Sequence, residues 1–175
     1  MRKTTLNILL NPEPIKLGKA SSKKQREKIS KDFLHFLWAT WIKATAGFMS
    51  EYSKRTEDLC AHHLAGKGNL SLRYFTLENG MCLTRDEHGF MAHGNQSAKT
   101  RFNEWVKMVR GEDFFSRCLM IKHKEQHIPP VVIQEFLLEK IAPFVSEITD
   151  YYELKEYKDV KTINKYKKMF KLLVK

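Results

Sequence analysis

The adjacent pair His62-His63, followed by His88 and His93, places four of the chain's seven histidines in one short stretch. A neutral imidazole does two kinds of chemistry near pH 7. Its lone pair ligates a divalent cation, and an ordinary pKa near ~6.5 lets it accept a proton from water. Neighbouring strand residues point to opposite faces, so His62 and His63 can serve one site only at a strand end or bulge. There one can ligate a metal while the other reaches a substrate water. Lys67, Arg73 and Arg85 flank these histidines and are candidate phosphate contacts. His35, His123 and His127 have no such company and read as ordinary surface or helix residues.

The chain that must position this chemistry has 175 residues, 42% of them hydrophobic, enough for one globular domain or two small ones with a buried core. That composition excludes a wholly disordered, collagen-like or low-complexity chain. Cys60, Cys82 and Cys118 are too scattered for a disulfide framework, so a reducing compartment is expected. The apolar runs fall short of the roughly 18 residues of a membrane span and no signal-peptide pattern opens the chain, so a cytoplasmic protein is expected. The net charge of +11 is carried by the ends. Residues 1–31 have a net +7 and residues 155–175 a net +6, around a middle of −2. Basic ends around a nearly neutral centre suggest arms that grip a polyanion, with binding that weakens steeply in salt.

Composition and periodicity divide the chain into four. Residues 1–22, with Pro12, Pro14 and Gly18, read as a flexible basic arm. Apolar residues from Ile29 to Phe48 recur at three- and four-residue steps, which predicts a basic amphipathic helix over 23–53. Lys23, Lys24 and Arg26 in its first turns oppose the helix macrodipole, and a phosphate backbone would explain them. Residues 54–97 contain short apolar segments at 59–64 and 81–83, predicted as two strands joined by a long loop, then a short helix carrying His88 and ending near Gly94. Residues 98–175 read as helices: one through Phe102, Trp105 and Val109 stopped by Gly111, one beginning near Phe114, two across 131–154 punctuated by Pro143, and a lysine-rich amphipathic tail.

In order and spacing, the pair His62-His63, Asn79 about fifteen residues on and His88 nine residues beyond it resemble the HNH (ββα-metal, His-Me finger) endonuclease superfamily. The wording H-H-L-A-G-K-G-N-L-S-L-R-Y, E-N-G-M-C-L-T and R-F-N-E-W-V is similar to small phage-type HNH nucleases, some of them linked to recombination, over residues 60–110. The resemblance implies a mainly α fold with a small central ββα-metal motif and a metal-dependent DNA endonuclease, acting in the host cytoplasm if phage-encoded. It implies that His62 and His88 hold one divalent ion (Mg, Mn, Zn or Ni), that His63 is the general base, and that the Asn79 side chain pins the loop orienting that base. Products would carry a 5′-phosphate and a 3′-hydroxyl.

The third ligand departs from the pattern. Some relatives place a second histidine four residues after the first, on the same helix face, but position 92 is Ala92 here. His93 lies about 140° further round an ideal helix. Either the helix unwinds near Gly94 to bring His93 in, which is the preferred reading, or water or an acid such as Asp86 completes the shell. Many relatives also carry two C-x-x-C knuckles around a structural zinc. This chain has only Cys60 and Cys82 there, with Glu87 where a cysteine often stands, so a tetrathiolate zinc is not expected and packing around Trp38, Trp41 and Trp105 must hold the motif. The expected partner is DNA, duplex or branched, with no membrane, and cleavage selective for structure because no base-reading motif is present. Two other classes stay open: a nucleic-acid-binding protein whose His62, His88 and His93 hold a structural zinc, and a membrane-surface protein using the tail helix.

Overall fold

The computed structural model describes residues 29–64, 77–114, 128–154 and 159–173. In chain order these form α1 (Lys31–Thr45), β1 (Leu59–His63), β2 (Gly80–Thr84) and the single turn α2 (Arg85–Glu87), which runs into a π turn (His88–Ala92). There follow α3 (Gln96–Arg110), α4 (Pro130–Ile141) with a 3-10 turn (Ala142–Phe144), α5 (Val145–Leu154) and α6 (Val160–Leu173). The described residues are mainly helical with one small antiparallel sheet. The expected arm 1–22, Lys23, Lys24, Arg26, Lys67, Arg73, Cys118, His123 and His127 lie outside the described residues.

Ser30 starts α1 by accepting the Phe33 N–H on its hydroxyl at 3.2 Å, and Asp32 in the first turn with Lys43 in the last complements the macrodipole. The sequence pattern carries this helix to residue 53, but it ends at Thr45. Gly47 and Phe48 turn into positive φ, 64° and 53°, and the N–H groups of Ala46, Gly47 and Phe48 return to the carbonyls of Ile42, Ala44 and Lys43. The apolar repeat overran the helix because Phe48, past its end, still packs inward, stacked on Tyr151 with ring centroids 4.2 Å apart.

The hairpin pairs without interruption from Leu59↔Thr84 to His63↔Gly80. Its second strand is buried at every residue. Met81 and Leu83 enter one apolar cluster with Phe102, Val106 and Phe114. Cys82, pointing the other way, enters a larger one built on Leu37, Trp38, Ile42, Leu137, Ile141 and Ile148. The hairpin is therefore a partition between two cores, with α1 against one face and α3 against the other. Glu51 seals the edge of β2. Its N–H donates to the Cys82 carbonyl at 2.8 Å, while its carboxylate accepts the Cys82 N–H at 3.0 Å and pairs with Arg110 at 2.5 Å.

The tail helix α6 docks on the larger core rather than standing apart. Met169 is buried, Tyr166 stacks on Tyr152 at 5.2 Å, and the Lys168 ammonium lies 5.1 Å above the Phe33 ring. Among the described residues, no helix is long and apolar enough to cross a membrane.

Close approach of α1 to the hairpin depends on Gly80, because an added Cβ would overlap the end of Ile42 and lie 2.9 Å from the Trp38 ring. Gly80→Ala is therefore expected to cost about 1–3 kcal/mol through overpacking. Urea unfolding followed by tryptophan fluorescence measures it, and an unchanged midpoint would contradict this account of the α1–hairpin contact.

Candidate metal centre

Strand alternation settles where the two adjacent histidines go. His62 lies opposite Met81 and His63 opposite Gly80, so each shares a face with its partner. His62 therefore turns to the α3 side, 8% exposed, with its ring 5.5 Å from Phe102. His63 turns to α1 and stacks on Trp38, centroids 3.7 Å apart and planes within 16°, with His35 5.5 Å away. His63 ends β1 as expected, but no bulge interrupts the ladder, and the two imidazoles do not share one face.

The other two histidines are brought to His62 by the segment after β2. Thr84 and Glu87 form a capping box: the Thr84 hydroxyl accepts the Glu87 N–H at 3.3 Å, and the Glu87 carboxylate accepts the Thr84 N–H at 2.8 Å. The same carboxylate oxygen accepts the buried Ser50 hydroxyl at 2.6 Å. Burial alone would push the Glu87 carboxyl up, but hydrogen bonds from Ser50, Ser53 and Thr84 outweigh it and hold it below the usual carboxylate range. The next residue, His88, is thus launched from a fixed point.

From His88 the backbone makes a π turn through Ala92. Such a turn closes residue i on i+5, so residues five apart come over one another as residues four apart do in an α-helix. That inserted residue brings in His93. Its Nε2 lies 3.2 Å from Nε2 of His88, and the His62 ring is 5.0 Å from His88 and 5.4 Å from His93. Behind His93, an added Cβ on Gly94 would overlap the Phe90 carbonyl, and Asn95 caps α3 by accepting the Ala98 N–H at 2.9 Å. The turn is held at both ends.

One ring nitrogen from each of His62, His88 and His93 lies within 4.8 Å of the others, so the three could hold a metal ion. Their electrostatics suit ligation. Burial, then the neighbouring His88 and His93, pushes His62 down to about 3. Burial, then His93 and Arg85, also lowers His88. Both therefore stay in the neutral, ligating form at neutral pH. Three imidazoles are a nitrogen donor set, which favours zinc, nickel, copper or iron over the oxygen-seeking magnesium.

The remaining expected residues divide. Asp86, the alternative ligand, is 72% exposed and faces Arg55 at 3.9 Å, outside the histidine group, because the first turn of α2 points it outward. Asn79 is buried, and its backbone carbonyl accepts the Leu64 N–H at 3.0 Å, closing the hairpin just beyond His63. Arg85 is exposed at the start of α2, three residues before His88. The roles of Ser50 and Glu87 were not expected from the sequence. Thr84-x-x-Glu87 carries the capping-box signature, whereas nothing local marks Ser50.

Two measurements test this arrangement. The unfolded chain takes up a proton at His62 first, because folding depresses its pKa. The contribution of neutral His62 is complete above about pH 6.5 and declines as the pH falls toward 3, by up to about 1.4 kcal/mol per pH unit. Urea unfolding of metal-free protein should follow that slope, and His62→Gln should flatten it; a wild-type profile as flat as the variant's refutes the assignment. Glu87→Ala should strip the Ser50 hydroxyl and Thr84 N–H of their acceptor, costing about 1–3 kcal/mol and weakening zinc or nickel binding by roughly tenfold or more. Chelator competition reads the second effect, and undiminished affinity would show that the carboxylate does not set the turn.

No protein-family model, curated protein or solved structure matches this chain.

Proposed function

We propose that the protein is a metal-dependent DNA endonuclease of the ββα-metal type. The observation that carries the reading is the convergence of His62, His88 and His93 from a hairpin and the turn after it, in the same order as the spacing that resembles HNH nucleases. His62, His88 and His93 would hold the ion, which when bound supplies Lewis-acid stabilisation of charge on the scissile phosphate and the leaving 3′-oxygen. Zinc or nickel fits the all-imidazole set better than magnesium.

The chain's own residues do the rest. His63 accepts the proton of the attacking water, from the last position of β1. Its imidazole is held by Trp38 on the face opposite the trio, so the phosphate is read as lying across the end of the hairpin, between the two. Catalytic hydrogen bonds of this kind commonly tighten only when substrate binds. The buried Asn79 fastens that end by accepting the Leu64 N–H on its backbone carbonyl. Arg85 and the exposed Lys161, Lys167 and Lys171 of α6, with Lys23, Lys24, Arg26, Lys67 and Arg73, contact the phosphate backbone without reading sequence.

One observation favours a second reading, a nucleic-acid-binding protein with a structural zinc: His63 and the trio lie on opposite faces of β1. The membrane-surface class is weakened because α6 turns Met169 into the protein core.

A metal panel on supercoiled plasmid separates the first two. Wild-type protein should nick with zinc, nickel or manganese. His63→Ala should lose about a hundredfold or more in rate while keeping DNA and metal binding, and His62→Ala should lose metal binding as well. DNA binding with no nicking under any metal would select the structural-zinc reading, and full activity of His63→Ala would remove His63 from the mechanism.

A further inference from the structure

The π turn displays one side chain that neither the core nor the metal centre uses. Phe90 is 77% exposed, although burying a Phe side chain is worth about 1.5–3 kcal/mol. Its neighbours in the turn behave differently. Met91 and Ala92 pack against the cluster of Met81, Leu83, Phe102, Val106 and Phe114, and His88 faces His62 and His93. The backbone that carries Phe90 is nevertheless constrained. Its carbonyl lies so close to Gly94 that no Cβ would fit there, and the turn is fastened upstream through Glu87 and downstream through Asn95. Beside it Gly89 faces open space, with nothing within 4 Å of where a Cβ would stand. An aromatic ring is thus held out on a fixed backbone, between two histidines of the metal centre and next to unoccupied room.

Cations flank it along the chain. Arg85 precedes the turn and is exposed, and Lys99 and Arg101 follow in α3. Of the acids between Arg85 and Arg101, Glu87 is buried in its hydrogen bonds and Asp86 faces Arg55. An exposed aromatic on a rigid turn with cations on either side is the chemistry that stacks a nucleobase while holding its phosphates. In an intact duplex the faces of the bases are covered by their neighbours. A ring on the protein surface can stack only on a base that is already free or easily unstacked, as at a single strand, a fork or a branch.

We propose that Phe90 stacks on an unpaired base next to the scissile phosphate and so makes this site select single-stranded or forked DNA over intact duplex. The inference rests on the nuclease reading, and it names the substrate shape and the residue that reads it. Phe90 is not a metal ligand and takes no part in proton transfer. Its role is selectivity.

The test uses the full chain with Phe90→Ala and Phe90→Trp. Binding is measured by anisotropy in EDTA, where metal-dependent hydrolysis is off, to labelled single-stranded, forked and fully paired oligonucleotides of one sequence. Phe90→Ala should weaken binding to the single strand and the fork by roughly tenfold or more and change duplex binding by less than about twofold. Phe90→Trp should restore the preference. Zinc affinity should be the same in all three proteins, showing that the turn is intact.

If Phe90→Ala weakens every substrate equally or none, the proposal is overturned while the nuclease reading stands. If wild-type protein binds no DNA of any shape, the nuclease reading itself fails. Loss of self-association in sedimentation, with DNA affinity unchanged, would make Phe90 a contact between protein chains and also overturn the proposal.

Discussion

Between Met81 and Leu83 on one side and Cys82 on the other, β2 has no face turned to water. A strand buried on both faces cannot slip by one residue, because every side chain would exchange one core for the other. Gly80 adds a steric pin, since only a residue without a Cβ fits beneath Ile42 and Trp38. The register of β1 is inherited from β2 through the ladder ending at His63↔Gly80. The directions of His62 and His63 are therefore consequences of packing. His62 is committed to the α3 core, where burial and two neighbouring imidazoles keep it neutral, and His63 to Trp38.

The same constraint explains why the second half of the site needs an unusual turn. With His62 fixed at the bottom of the cluster, the segment leaving β2 must return two nitrogens to it within a few residues. An α-helix does this with a spacing of four, but this chain has a spacing of five. Inserting one residue as a π turn restores the alignment, and the hydrogen bond between the Nε2 atoms of His88 and His93 shows how closely the rings are brought together. The inserted residue also turns Phe90 outward while Met91 and Ala92 pack inward. The feature that completes the histidine trio is thus the one that exposes the aromatic ring beside it.

Much of this was legible in the sequence where a local rule governed. Short apolar segments without helical periodicity located strands at 59–64 and 81–83, close to the observed 59–63 and 80–84. The 3.6-residue pattern with Gly111 as a stop marked the helix now seen at Gln96–Arg110. The grouping of His62, His88 and His93 was anticipated, but through unwinding near Gly94, where the structure has a π turn over His88–Ala92. What was not legible depended on distant partners. The end of α1 was hidden because Phe48 keeps the helical period while packing on Tyr151, far along the chain. The face taken by His63 follows from an unbulged ladder and a glycine across the hairpin, neither of which the His62-His63 pair announces. Asp86, the alternative to His93 as third ligand, is sent toward Arg55 by its position in the first turn of α2.

Glu87 shows how a hairpin of this kind can be fastened by hydrogen bonds to carboxylates. Burial raises the Cys60 thiol and pushes Cys82 up to about 12, so in these surroundings both are protonated and behave as small apolar groups rather than as thiolate ligands. The fastening comes from two carboxylates instead. Glu87 joins the residue before His88 to Ser50, at the foot of α1, and Glu51, the next residue, bonds both backbone groups of Cys82 while pairing with Arg110 at the end of α3. Two consecutive residues, Ser50 and Glu51, therefore tie β2, the start of the π turn and α3 to the segment that follows α1. A hydrogen bond to an ionised group is worth roughly 1.5–3 kcal/mol, so these contacts are comparable with a substantial part of the stability of a small domain. Their directionality adds what apolar packing lacks, a defined starting point for the turn that carries His88 and His93.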